Sequence, residues 1–488
     1  MRTLEQKSCF GQQSAAMNTR RSIGWNRRAV AVWLAGAVLV QAGFASVPTV
    51  DDTARVLAGL APSQGSPLEA LTSAPAWKNR SSKFSETWQR LEDRQLSHAR
   101  VWAGRELTEA RKEGSVLYYA FSGPDILYAN TFFPGSETYV LCGLEPVGAV
   151  PDLLSVAPDK IGDALSHLHG SLDTVLALSF FITKDMSSDL RRARFPGTTP
   201  ILLTFLARLG KTVLSAGHVS LDSSGNVLPG EPPAGTATAD GTQPVPGVKI
   251  TFTSGPGAPV QTLYYFSTDI SNGGLKQNPA FANFCRQLGP GAGFVKAASY
   301  LMHGQGFTTA RDLLLERCKI ILQDDTGVPV SVFLDKNWQV LPYGRYKGPI
   351  RLFGGYYQKK LASLYAEAKP EPLKFGISYH YRTNECNMVL AKREGSATGA
   401  DVAAAQPPAP EPVVPPVQAA PAAQTAPAVT VVASADKAVK PARKMLIELE
   451  AEELRIRADE SLNRAERNKK LREIWDRQLA VMGKTPAI

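Results

Sequence analysis

Residues 115–148 read SVLYYAFSGPDILYANTFFPGSETYVLCGLEPVG, and they set the fold class expected of everything around them. Val116 to Ser122 is an apolar, aromatic run bounded by Gly114 and by Gly123-Pro124, the punctuation of a buried strand. Asp125 opens a short helix reaching Phe133, where a carboxylate can cap the first turn and meet the positive end of the helix dipole. Pro134-Gly135 ends that helix, and Thr138 to Leu144 forms a second strand. Two strands joined through a helix predict a parallel pair with a right-handed crossover.

On the N-terminal side, Phe84, Trp88, Leu91, Ala99 and Trp102 recur at helical spacing from about Ser82, a core-facing stripe. Downstream, Ile161 to Phe181 and Met186 to Arg194 are helical in pattern, with Gly197 as a breaker. Pro200 to Leu209 is a short apolar run that periodicity leaves open between strand and helix, and Lys211 to Leu221 reads as a strand. Residues 222–247 are rich in Gly, Pro and Thr and predict a long exposed loop. Val248 to Thr253 and Gln261 to Ser267 form a strand pair; Pro279 to Leu288 and Phe307 to Arg317 are helices; Gly293 to Met302 stays open. Lys319 to Gln323 is a strand, Val328 to Leu334 a returning strand, Arg351 to Ala368 a last helix and Leu373 to Tyr381 a last strand. Strands alternating with helices predict one α/β domain over residues 77–395. Its sheet is expected to be mainly parallel and Rossmann-like, flanked by helices, with an added β-hairpin region.

The ends differ in kind. Residues 1–45 read as a Sec-type export signal: a basic stretch (Arg20, Arg21, Arg27, Arg28), the apolar run Ala29 to Gly43, and a small-x-small site at Gly43-Phe44-Ala45. The reading admits a start at Met17 and, as the alternative, an uncleaved anchor. Residues 46–76 lack a pattern and are expected to be a loose lead-in. An Ala/Pro-rich linker follows the domain at 396–440, with eight prolines between Pro407 and Pro427. Residues 441–488 are a charged helix with one narrow apolar stripe, suited to pairing with its own copy or with an envelope protein. No segment after the signal is long and apolar enough to span a bilayer. The expected location is therefore periplasmic or secreted.

The net charge is +10, and beyond residue 45 it falls to 48 basic against 43 acidic side chains with no basic stripe, which argues against nucleic-acid binding. Cys142, Cys285, Cys318 and Cys386 follow the signal in a compartment that permits disulfides, and spacing does not select a pairing. Neither a GxSxG elbow, a phosphate-binding GxxxxGK[ST] loop nor an HExxH helix is present. His167 and His169 sit two apart in a helical pattern, on different faces, which disfavours a shared metal. What remains is position. Ser122 and Asp125 follow one strand, Glu145 the next, Asp269 follows LYYFST, His303 follows ASYLM, and Asp324 and Asp325 follow KIILQ. Open α/β sheets bind ligands outside the carboxyl ends of their strands, so these groups are candidates for one cleft. Asp125, Glu145, Asp269, His303, Asp324 and Asp325 would serve acid–base chemistry or hold a divalent metal. Ser122, Arg345 and Lys347 are candidate ligand-binding groups, the latter two for an anion. The competing reading of each aspartate is a helix cap or Asx turn.

The segments FSGPDILYANTFFPGSETYVLCGLEPVG, SFFITKDM, KAASYLMH and KIILQDDTGVPV resemble an uncharacterised family of exported bacterial proteins, over roughly residues 80–385. The resemblance implies export and a single body and attaches no activity, ligand or catalytic residue. Three readings follow: an exported protein that binds a polar ligand, a hydrolase or transferase using the strand-end carboxylates and His303, and an envelope scaffold docking through the C-terminal helix.

Overall fold

In the computed structural model, residues 47–108, 115–179, 194–232 and 241–393 are described, together with Glu466, Lys470, Glu473, Ile474 and Arg477. The expected signal (residues 1–45), the 396–440 linker and most of the 441–488 helix lie outside the described residues, as does nearly all of the helix expected from Met186 to Arg194. The chain divides into two units, Met1–Ala405 and Gln406–Ile488. The five described residues of the second unit are helical.

Ten strands build one sheet in the first unit: β1 (Val116–Tyr119), β2 (Thr138–Gly143), β3 (Thr212–Leu221), β4 (Val227–Pro229), β5 (Val245–Thr253), β6 (Val260–Ser267), β7 (Gly291–Val295), β8 (Cys318–Gln323), β9 (Trp338–Gly344) and β10 (Asn387–Arg393). Their spatial order is β4-β3-β5-β6-β2-β1-β7-β8-β10-β9. The opening stretch is β1, helix and β2, paired in parallel with Tyr118 opposite Val140, as its sequence predicts. The sheet as a whole is mixed, which corrects the expectation of a mainly parallel one. Five strands, β6-β2-β1-β7-β8, are mutually parallel, while β5, β3 and β4 on one side and β10 and β9 on the other add antiparallel pairs. Numbered by their own succession, the parallel five run 3-2-1-4-5, the doubly wound order with its switch point between β1 and β7.

Both faces of the parallel centre are covered, which is why β1 is apolar without alternation. Leu117 and Tyr119 point into the larger core, with Tyr139, Leu141, Leu263 and Phe294. That core is closed by α1 (Val50–Leu57), α2 (Glu69–Ser73), α3 (Pro75–Leu91), α4 (Ser97–Glu106), α5 (Ile126–Phe132), α6 (Ile161–Leu178) and α7 (Thr199–Arg208). Val116 and Tyr118 point to the other side, against α8 (Asn272–Gln277), α9 (Ala280–Gln287), α10 (Thr308–Arg317) and α11 (Val330–Asp335). Every residue of α5 is buried, as expected for a helix that is apolar nearly all round. Each fully buried large side chain here contributes about 1.5–3 kcal/mol of transfer free energy.

Five local readings are corrected. The 46–76 lead-in is structured: Thr49 caps α1 through its Oγ1, and Ala54, Val56, Leu57, Leu68 and Leu71 are buried in the larger core. The 222–247 loop is shorter than expected, because β4 and the start of β5 lie within it and both pair with β3. Val328 to Leu334 is mostly helix rather than strand, since Pro329 at the N-terminal cap has no N–H to give a strand ladder. Arg351 to Ala368 splits into a 3-10 turn, Arg351–Tyr356, and α12 (Lys359–Ala368). Leu373 to Tyr381 carries a single bridge, Ile377 to His380, and the last strand is β10 instead, paired along its length with β9. The open run Pro200 to Leu209 resolves as helix α7.

Candidate functional site

The carboxyl ends of β1, β2, β6 and β7 open onto a cleft of about 180 Å³ beside the switch point. Phe121, Gly123, Leu144, Glu145, Thr268, Asp269, Ala297, Ala298, Ser299, Leu301 and Phe307 contribute to its walls. A separate apolar void of about 20 Å³, lined by Tyr118, Leu275, Phe281 and Leu314, has room for one water at most.

Backbone conformation marks the two strand ends that border the switch point. Phe121 (φ 60°) follows β1, and Ala297 (φ 51°), Ser299 (φ 50°) and Tyr300 (φ 58°) follow β7. A left-handed non-glycine residue costs about 1–2 kcal/mol, so four of them persist only where neighbours hold them. The restraint on the second group is visible. Asp324 Oδ2 accepts from the Ala297 N–H (2.9 Å), and Thr326 Oγ1 accepts from the Ala298 N–H (2.8 Å). Thr326 in turn donates from its N–H (2.9 Å) and hydroxyl (2.5 Å) to Asp324 Oδ1. Tyr300 donates to Asp325 Oδ2 (2.5 Å), while Asn387 Nδ2 donates to Asp325 Oδ1 (3.0 Å). Asp324 and Asp325 are therefore buried clamps of the cleft wall. Burial, and after it the adjacent Asp324 charge, pushes the Asp325 carboxyl up to about 7.

The remaining candidates separate. Ser122 Oγ donates to the Cys142 carbonyl (3.2 Å) and accepts from the Cys142 N–H (3.1 Å), joining the ends of β1 and β2. Asp125 caps α5, accepting from the Tyr128 N–H (3.1 Å), and its other oxygen takes the Tyr119 hydroxyl (2.8 Å) and the Lys296 ammonium (2.8 Å). Lys296 also donates to the Ser179 carbonyl and sits 4.5 Å from the centre of the Tyr128 ring. Asp125 and Lys296 are 1% and 3% exposed, within the larger core. Burial pushes the Asp125 carboxyl up and Lys296 pulls it back. His303 is packed against the Tyr300 and Tyr356 rings, with Nε2 buried and without a hydrogen-bond partner; burial lowers its pKa to about 4. Arg345 and Lys347 are exposed beyond β9 and do not line the cleft.

Two candidates do line it. Glu145 is 2% exposed, and Tyr265 donates both to its carbonyl (2.9 Å) and to Oε2 (3.2 Å). Burial raises its pKa, partly offset by its own N–H, the Tyr265 hydroxyl and the Leu144 N–H. Asp269 is exposed at the rim and accepts from the Ser271 N–H (2.8 Å) and hydroxyl (2.9 Å). The cleft residues overlooked in the sequence include Phe121, Leu144, Ser299, Leu301 and Phe307. The signal available for them was the same as for Glu145: they follow strands or precede a helix at one end of the sheet. Lys296 was missed too, although it is the first charge after the apolar run GAGFV.

Among the described residues no group of three His, Cys, Asp or Glu side chains is arranged to hold a metal ion. His169 is instead buried, with Nε2 beside the Leu57 carbonyl (2.8 Å), Nδ1 accepting from Arg80 (3.0 Å) and its ring stacked on Phe84 at 3.7 Å. Cys142, Cys285, Cys318 and Cys386 are buried free thiols. Comparison of the chain with protein-family models, curated proteins and solved structures finds no match. What fold and cleft define is a class: an α/β protein with a doubly wound parallel centre and a cleft at its switch point.

Proposed function

We propose that this chain is an exported bacterial protein that binds a small polar ligand in the cleft between the carboxyl ends of β1, β2, β6 and β7. The observation that carries the reading is the distribution of the strand-end groups. Glu145 and Asp269 face the cleft, while Asp125, Asp324 and Asp325 are spent on internal hydrogen bonds and His303 lies among aromatic rings. A wall restrained in a strained conformation is a preorganised surface, which lowers the entropy lost on binding. Export rests on the sequence of residues 1–45 and on the family resemblance.

The test is a binding screen of small polar metabolites against the full chain, followed by titration calorimetry. Leu144→Trp is the control, since Leu144 is a rim residue, 61% exposed, whose enlargement obstructs the cleft without disturbing the core. Binding that Leu144→Trp removes, with the melting temperature unchanged, supports the site. Binding that survives it places the ligand elsewhere and overturns the reading.

A further inference from the structure

The carboxyl ends of the parallel strands hold four buried carboxylates, Asp125, Glu145, Asp324 and Asp325, that sequence reading treats alike. Asp125 has its countercharge, Lys296, from the same chain at 2.8 Å. Glu145, about as buried, has no ion-pair partner among the described residues; its side chain receives the Tyr265 hydroxyl. Asp324 and Asp325 are satisfied by hydrogen bonds inside the wall, whereas Glu145 lines the open cleft, so a cation that paired with it would arrive from outside.

The other walls agree with that implication. Among the described residues no Lys, Arg or His side chain lines the cleft, and Lys296, next in sequence to Ala297, is turned into the larger core by Asp125. Asp269 adds a second negative charge at the rim; its oxygens each accept one bond from Ser271, and a carboxylate offers about four acceptor sites in all. Phe121 and Phe307 both line the cleft and pack edge to face with ring centres 5.6 Å apart, presenting aromatic surface to which an ammonium is attracted. Leu144, Ile270 and Leu301 supply apolar surface for a short alkyl chain. The volume, about 180 Å³, is enough for a small amine.

We infer that the cleft selects a small organic cation, a primary amine whose ammonium is received by Glu145 and Asp269 while its alkyl part lies against Phe121, Phe307 and Leu301. The inference rests on the cleft being the binding site and adds the chemical class of its ligand. It excludes anions, and so replaces the expectation that Arg345 and Lys347 would recognise one.

Three probes of equal length and different charge test it: butylamine, butanol and butyrate, each titrated calorimetrically into the full chain near neutral pH. Butylamine is expected to bind at least roughly tenfold tighter than either of the others, the value of one charge-assisted hydrogen bond. Glu145→Gln is expected to remove that preference, and Asp269→Asn, at the exposed rim, to weaken it without affecting folding. Leu144→Trp is expected to abolish butylamine binding. If butanol or butyrate binds as tightly as butylamine and Leu144→Trp still abolishes it, the cationic class is wrong and the site stands. If butylamine binds and Leu144→Trp leaves it untouched, both the class and the site fail; if none of the three binds, the cationic class fails and the site stands or falls by the metabolite screen.

Discussion

Asp125 stands in the sequence as a strand-end candidate, and the structure places it inside the larger core, away from the cleft. It is a helix cap, as its position before Ile126 implies, and its second oxygen neutralises a buried lysine. Removing one member of such a pair leaves an uncompensated charge in the core, a loss of about 3–5 kcal/mol. Asp125→Asn, which retains a capping oxygen, is therefore expected to lose stability of that order in urea unfolding. Asp125→Asn combined with Lys296→Met is expected to be more stable than Asp125→Asn alone. Strictly additive losses in that cycle would show that the two side chains are not coupled. Asp325 carries a different signature. Its ordinary value of 3.8 is raised to about 7, so between those limits the folded state binds the proton more tightly than the unfolded chain. Its contribution to stability is greatest below about 3.8 and declines as pH rises toward 7. His169, whose pKa burial lowers to about 3, slopes the other way, so the whole-protein profile mixes the two. The unfolding free energy of the wild type minus that of Asp325→Asn isolates the carboxyl, and it should fall steadily from about pH 4 to about pH 7. A difference independent of pH would remove Asp325 from this account.

At the scale of elements, the segment after β7 is the part of the fold that runs against backbone preference. KAASYLMH has no glycine, yet Ala297, Ser299 and Tyr300 all adopt positive φ. Local propensity would not place alanine there; hydrogen bonds donated to Asp324, Thr326 and Asp325, all on the turn after β8, do. Ala297→Gly relieves the left-handed strain and, set against the extra freedom glycine gives the unfolded chain, should stabilise the protein by about 0.5–1 kcal/mol, measurable as a higher urea midpoint. A lower midpoint would mean that the Ala297 methyl contributes more through contact than its backbone costs. The opening stretch behaves oppositely. There the turn residues, the capping aspartate and the apolar runs agree, and its strand, helix and strand were legible, with the ends of β1 and, by one residue, β2 placed too late. β9 and β10 were not, because Trp338–Gly344 and Asn387–Arg393 are short mixed runs whose pairing joins residues about fifty apart in sequence.

For the whole molecule, the first unit surrounds its sheet with two large cores and a small third one, and the four described cysteines are distributed through the two large cores without bonding to one another. Burial pushes the Cys142 and Cys386 thiols up to about 12, and those of Cys285 and Cys318 rise as well. Thiols so placed are neither nucleophilic nor accessible. A thiol reagent is expected to label these four only after denaturation, and a reductant should leave the melting temperature unchanged. Rapid labelling of the native protein at any of them would contradict the packing described.

The sequence alone determined what depends on neighbours along the chain: the β1–helix–β2 unit, the amphipathic stripe through Phe84, Trp88 and Trp102, the α/β class, and the placement of polar groups at strand ends. Periodicity and turn chemistry act over a few residues, and those features are encoded there. Tertiary structure decided the strand order, the antiparallel flanks and the fate of each strand-end carboxylate. Ser122, Asp125, Glu145 and Asp324 look equivalent as letters after apolar runs. Which of them meets a lysine, a strained loop or an open cleft depends on side chains that come from elsewhere in the chain, Lys296 for Asp125 and Tyr265 for Glu145. Pairing of that range is set by how the sheet is wound, and no local pattern carries it.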